Sequence, residues 1–340
     1  MVSKHVVSKH VVSKHLVSKH VIGAAALMAL ALPPRVGAEE IGGGRLVWLL
    51  LTHAIKEQFI PRPVPAVPAA HARMQVEKDA TGCQLLRWDR TMSGTPSMGI
   101  YHPGRYCLDQ DYEVDCAATT PDCTGTMIEI HASNVDLDMR GHALRMSGTR
   151  RYRGVWGTGQ YIRIHDGRIE GAGIGITLSH STTDPAKAYP DTQPDAGDVL
   201  TLTGFAVERM EFSGVYGAIE LSGKDNEVRD NRIDMICDAA PGGRPPVALL
   251  SYGPSARIER NTIVLRNQAA GSTGHAMYLR AGHRAVIGEN TVNVEGTRSG
   301  TIGIGLSDSQ SVVLQRNRID TANVTVLKNT SSLVPADIAR

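Results

Sequence analysis

The chain has 340 residues, is 41% hydrophobic but only 4% aromatic, and holds 35 glycines. That composition excludes a core built on aromatic clusters and fits a thin aliphatic core with many tight turns. The net charge of +2 gives no electrostatic case for nucleic acid, because the basic excess sits at one end. Residues 1–38 hold Lys4, Lys9, Lys14, Lys19 and Arg35 and no acid; without them Lys+Arg falls from 36 to 31 against 34 Asp+Glu, a net charge of −3.

Residues 1–21 repeat Val-Ser-Lys-His with small variations, read as a repetitive leader rather than a metal-binding or membrane tract. Its lysines precede an apolar run from Val21 to Leu32, and Val36-Gly37-Ala38 offers small residues for cleavage before Glu39. That order predicts an export signal over 1–38 and a periplasmic or secreted mature protein. The apolar run is short for a bilayer, so no stable membrane span is expected after cleavage. Residues 39–80 join the apolar stretch Leu46–Ile55 to Pro61, Pro63, Pro65 and Pro68, an expected N-terminal cap and Pro-rich linker.

Cys83, Cys107, Cys116, Cys123 and Cys237 would meet an oxidising compartment after export. Cys116 and Cys123 could close a small loop, and Cys83–Cys107 is the next pair; spacing alone does not settle connectivity. There is no C-x-x-C pair, so no metal site is expected.

Further on, one pattern recurs: aliphatic-x-x-Asn-x-aliphatic. It reads Val228-x-x-Asn231-x-Ile233, Ile258-x-x-Asn261-x-Ile263, Ile287-x-x-Asn290-x-Val292 and Leu314-x-x-Asn317-x-Ile319. The asparagines are 30, 29 and 27 residues apart, which marks stacked repeats. The same frame runs backwards through Met210 and Gly167 in place of Asn. The flanking patterns are strand-like, and no repeat holds a convincing amphipathic helix. Stacking at strand spacing, about 4.8 Å, would bring the Asn side chains into one hydrogen-bonded column.

The Asn frame, the segment Pro103-Gly104-Arg105-Tyr106-Cys107-Leu108, and the run Ile128–Asp138 followed by Gly141-His142 resemble the right-handed parallel β-helix superfamily of pectate-lyase-like and NosD-like proteins. The resemblance implies an all-β fold: a single-stranded right-handed parallel β-helix (solenoid) with an Asn ladder, over residues 81–325, followed by a tail, 326–340. One such fold carries many chemistries.

The strands Ile174–Ser179, Ala218–Ser222, Val247–Ser251, Ala276–Arg280 and Gly303–Ser307 precede each step. With Ile219, Leu221, Ala248, Leu250, Met277 and Leu279 inward, the outward column is Thr177, Glu220, Leu249, Tyr278 and Gly305. The next is Ser179, Ser222, Ser251, Arg280 and Ser307. His275 starts one strand, while Tyr252 and His283 lie just past strand ends. On this face Arg280 would bind a uronate carboxylate, with Glu220 and Tyr252 as further substrate contacts. Tyr278, His283 or His275 would move the C5 proton. The expected partner is an anionic polysaccharide, and the chemistry, if any, is lyase or C5-epimerase. The alternatives are a non-catalytic carbohydrate-binding or structural module, or, less favoured, a NosD-like accessory role. Hydrolysis is disfavoured, since Glu220 and Asp308 are too far apart to share a bond. The signatures Asn-Thr-Asp, Gly-His-Gly and Asp-Pro-His are absent. Asp184, Asp191, Asp195 and Asp198 in the insertion 179–198 allow Ca²⁺, but their spacing fits no known loop, so no cofactor is expected. Asp136, Asp138, Arg140 and His142 form a polar cluster read as turn contacts.

Overall fold

The computed structural model describes residues 77–87, 97–115, 125–147, 152–179, 201–237, 245–267 and 274–334. All lie in one compact unit, Met74–Arg340. The expected export signal, nearly all of the cap, and the acidic residues of the 179–198 insertion lie outside the described residues. Among the described residues no helix is long and apolar enough to cross a membrane.

The described elements are all β-strands, in a nine-stranded and a sixteen-stranded sheet. Three successive repeats show how they are built. They comprise Val247–Tyr252, Arg257–Glu259 and Thr262–Asn267; His275–Arg280, Val286–Gly288 and Thr291–Gly296; and Ile302–Ser307, Val312–Gln315 and Arg318–Ile319. The first strand of each joins the nine-stranded sheet and the other two the sixteen-stranded sheet. Every strand pairs in parallel with its equivalent in the next repeat. The pairing runs on through Asn323–Lys328 and Leu333–Val334, past the expected end at residue 325. Inward side chains of both sheets, such as Ile219, Leu249 and Met277 from one and Ile258, Ile263 and Ile287 from the other, form one buried aliphatic cluster.

Between the second and third strands the chain turns over two residues. The first is left-handed: Asp230 (φ 59°), Arg260 (φ 55°), Glu289 (φ 58°) and Arg316 (φ 51°). The second is the repeated Asn. Each Asn Nδ2 donates to the next Asn Oδ1, at 2.9 Å from Asn231 to Asn261, from Asn261 to Asn290 and from Asn290 to Asn317. The same amides donate to the carbonyls of Val207, Val228, Ile258 and Ile287. Each Oδ1 also accepts a backbone N–H from the preceding repeat, beginning with Met210. A buried turn leaves these backbone groups without water, and an amide side chain supplies both an acceptor and two donors. Asn226 does similar work elsewhere, its Oδ1 accepting the Phe205 N–H and the Thr203 hydroxyl.

One expectation about register is corrected. Glu220 pairs with Leu250 and Leu250 with Tyr278, so Leu250 faces outward and Leu249 is buried. Tyr252, not Ser251, shares the column of Ser222 and Arg280, and Ser251 is buried. The cause is a break in alternation: Ala218 and Ile219, Ala248 and Leu249, and Ala276 and Met277 are consecutive buried pairs. Counting by twos from the small Ala shifts the Val247 strand by one residue and turns its faces over.

Cys83 and Cys107 form a disulfide, and Cys237 is a buried free thiol. Cys116 and Cys123 lie outside the described residues. The disulfide is consistent with an oxidising extracellular compartment.

Candidate functional site

The outer face of the nine-stranded sheet carries two adjacent columns. One runs Glu129, Trp156, Thr177, Glu220, Leu250, Tyr278, Gly305. The other includes Ser222, Tyr252, Arg280, Ser307 and Lys328. The expected site residues on this face divide into two groups.

Tyr278 anchors the first group. Its ring lies nearly parallel to that of His275, with centroids 5.7 Å apart. Lys328 Nζ stands 5.8 Å from the Tyr278 centroid, within cation–π range. The ring reaches over Gly305, where any Cβ would strike it, so the missing side chain makes the seat. Arg280 is half-buried, two residues along the same strand. Neither Arg280 nor Lys328 has an acidic partner among the described residues.

Burial, aided by Lys328, pushes the His275 imidazole down to about 4. It is therefore neutral near pH 7, unable to donate as an acid and weak as a base. An unfolded His would titrate near 6.5, so between about 6.5 and 4 the unfolded chain holds the extra proton. This contribution to stability is intact above about pH 6.5 and is lost as pH falls toward 4. The unfolding midpoint should fall across that window, and His275→Gln should flatten the fall. An equal slope in both proteins would show that His275 is not held neutral by the fold.

His283 is set apart. It follows the strand, and its Nδ1 accepts the Gln310 N–H at 3.1 Å, which places it in a turn contact. No hydrogen bond or ring contact joins it to Tyr278 or Arg280.

Glu220 and Tyr252 belong to the second group, in a cleft of about 110 Å³. Tyr216, Pro245, Pro246 and Leu250 form much of its wall. The prolines immediately precede the Val247–Tyr252 strand, and residues 238–244 before them lie outside the described residues.

Two further arrangements lie outside the expected site residues. At the far end of the same face, Tyr101 stacks on His131 with centroids 5.1 Å apart. His131 meets the Trp156 ring edge-on and lies 3.2 Å from the Glu129 carboxylate. The other feature is a charge network on the sixteen-stranded sheet. Glu208 is buried and takes Arg163 and Arg229 at 2.7 Å and Arg209 at 3.1 Å. Burial alone would raise its carboxyl, but Arg163 and Arg229 outweigh that and hold it at about 2. The expected polar cluster joins this network: His165, also buried, lies 3.0 Å from Asp136 and 2.6 Å from Asp166. Asp138, His165 and Asp166 are close enough to share a metal ion. Arg105 on Asp138 and a bidentate Arg209 on Asp166 already provide the positive charge, so the arrangement fits a structural ion-pair network. His142 lies apart from it, 3.3 Å from Asp111.

A comparison of the chain with protein-family models, curated proteins and solved structures finds no match.

Proposed function

We propose that the described unit is a right-handed parallel β-helix of an exported protein, and that the outer face of its nine-stranded sheet binds an anionic polysaccharide. The observation that carries this reading is the pair Arg280 and Lys328. They share one column, two strands apart, beside an aromatic ring, and neither is neutralised by an acid among the described residues. At about 4.8 Å per strand their backbones are roughly 10 Å apart, a spacing suited to successive carboxylates on an extended polymer. The disulfide supports export.

Binding without turnover is the better supported form. His275 is held neutral beneath Tyr278 and His283 is engaged in a turn, which leaves Tyr278 as the residue placed to move a proton. If the protein does turn over a uronate polymer, β-elimination or C5 epimerisation through Tyr278 is the route. In either reaction the C5 proton leaves while Arg280 holds the carboxylate beside it; in elimination the C4–O4 bond breaks with its electron pair on O4, which takes a proton, and in epimerisation a proton from solvent returns to C5 on the opposite face.

Alginate, pectate and glycosaminoglycan oligomers, assayed for binding, unsaturated product and C5 stereochemistry, test both forms. Arg280→Ala should weaken binding of uronate oligomers about tenfold with little change in unfolding midpoint. Tyr278→Phe should leave binding near wild type and, where turnover exists, abolish most of it. Unchanged binding in Arg280→Ala would move the anion site elsewhere on the molecule.

A further inference from the structure

We propose that the C-terminal end of the stack is an interaction surface for a second copy of this chain, and that two molecules join there tail to tail. The inference is independent of the glycan reading. Asn323–Lys328 is the last strand of the nine-stranded sheet, and among the described residues no strand pairs with its far edge. Arg318–Ile319 and Leu333–Val334 are the corresponding ends of the other sheet, and the Asn ladder stops at Asn317. Thr325 and Leu327 continue the inward positions of Ile304 and Leu306, which are buried. Leu327 is nevertheless 47% exposed, and Val324 and Leu333 are 50% and 42% exposed. These are three of the five large hydrophobic residues exposed among the described residues, so the exposed apolar surface is gathered at one end. The opposite end differs: Met98 and Ile100, on the first strand of the same sheet, are buried.

A free edge whose strand carries one charge, Lys328, and no proline has little of the usual protection against pairing. A second copy fits it because the strand is complementary to itself. Thr325 and Leu327 hold inward positions, and Val326, the neighbour of Gly305, holds an outward one. Antiparallel pairing about a two-fold axis through Val326 sets Thr325 opposite Leu327 of the second copy, inward against inward, and Val326 opposite its own equivalent. The same register puts Lys328 opposite Val324, so the two lysines stand about 13 Å apart along the strands. An axis through Thr325 would oppose inward and outward positions. An axis through Leu327 would bring the two lysines to about 7 Å, where like charges repel. Because the apolar surface lies at one end, the association closes at two copies and does not run on as a fibre.

Sedimentation velocity of the full chain over a series of micromolar concentrations tests this. It should show a monomer and a dimer in exchange, with no larger species. Leu327→Glu and Leu333→Glu, at half-exposed positions, should each raise the dissociation constant at least about tenfold. Far-UV circular dichroism and the unfolding midpoint confirm that each variant is folded. Val326→Cys in an otherwise wild-type chain tests the register. Directly opposed residues of an antiparallel pair lie at disulfide distance, so oxidised glutathione should convert this variant to a covalent dimer linked through the substituted position. Leu202→Cys, exposed on another part of the molecule, is the control and should stay uncoupled. Should the glutamate variants misfold, the cross-link decides alone. A monomer at every concentration, a dimer that either folded glutamate variant leaves at wild-type strength, or a Val326→Cys chain that couples no better than Leu202→Cys overturns the tail-to-tail contact.

Discussion

Asn261→Leu should lower stability by about 3 kcal/mol, near the top of what one buried polar side chain controls. The leucine has a similar size, so the loss is of hydrogen bonds rather than volume. The Asn261 Oδ1 accepts both the backbone N–H and the Nδ2 of Asn231, and its own Nδ2 donates to the Val228 carbonyl and to Asn290. Replacement leaves several groups of two neighbouring repeats buried without partners, at about 1 kcal/mol or more each. Urea unfolding measures this directly. A midpoint equal to wild type would mean that water reaches the turn and that the ladder is dispensable. Asn317→Leu, where the ladder is only partly buried, should cost less.

Glu208→Gln should cost about 2–4 kcal/mol. The carboxylate is buried, and its removal sets the guanidiniums of Arg163, Arg209 and Arg229 around a neutral amide. Those arginines are 42%, 44% and 40% exposed, so they turn partly to water, and the lower half of the range is expected. The pH dependence distinguishes this effect from simple misfit. The folded carboxyl titrates at about 2, against 4.5 for the free group. Its contribution is therefore present above about pH 4.5 and is lost as pH falls toward 2. The wild-type advantage over Glu208→Gln should shrink across that window. A constant difference would assign the loss to packing.

The parts legible in the sequence share one property: they repeat. Asn at a fixed place between aliphatic residues is a costly pattern unless neighbouring repeats satisfy it, so Asn231, Asn261, Asn290 and Asn317 announce the parallel stack on their own. The face of the Val247 strand was not legible, because the buried Ala248–Leu249 pair breaks the period of two where the count begins. The cleft was legible only in part. Glu220 is legible from its strand and Tyr252 from its place just past the expected strand end, whereas Tyr216 and Pro245 enter from connections that follow no repeat. Glu208 went unnoticed because Arg163 stands 45 residues away, across an insertion and in the neighbouring column, and Arg229, in its own column, 21 residues away. The outward position beside each aliphatic residue, read through Asp138, His165, Glu208, Arg229 and Glu259, would have exposed it.

The left-handed turn residues carry a rule of parity. In order along the stack they are Asp166, Arg209, Asp230, Arg260, Glu289 and Arg316, alternating in sign at every step. They bind as couples, Asp166 with Arg209, Asp230 with Arg260 and Glu289 with Arg316. Excising a single repeat would bring two like charges together, Asp230 against Glu289 if the Arg260 repeat is lost. Excising two adjacent repeats restores the alternation. Within the stack, repeats can thus be inserted or removed without a clash only in even numbers, and a slip by one repeat during folding sets a pair of like charges against each other at the junction.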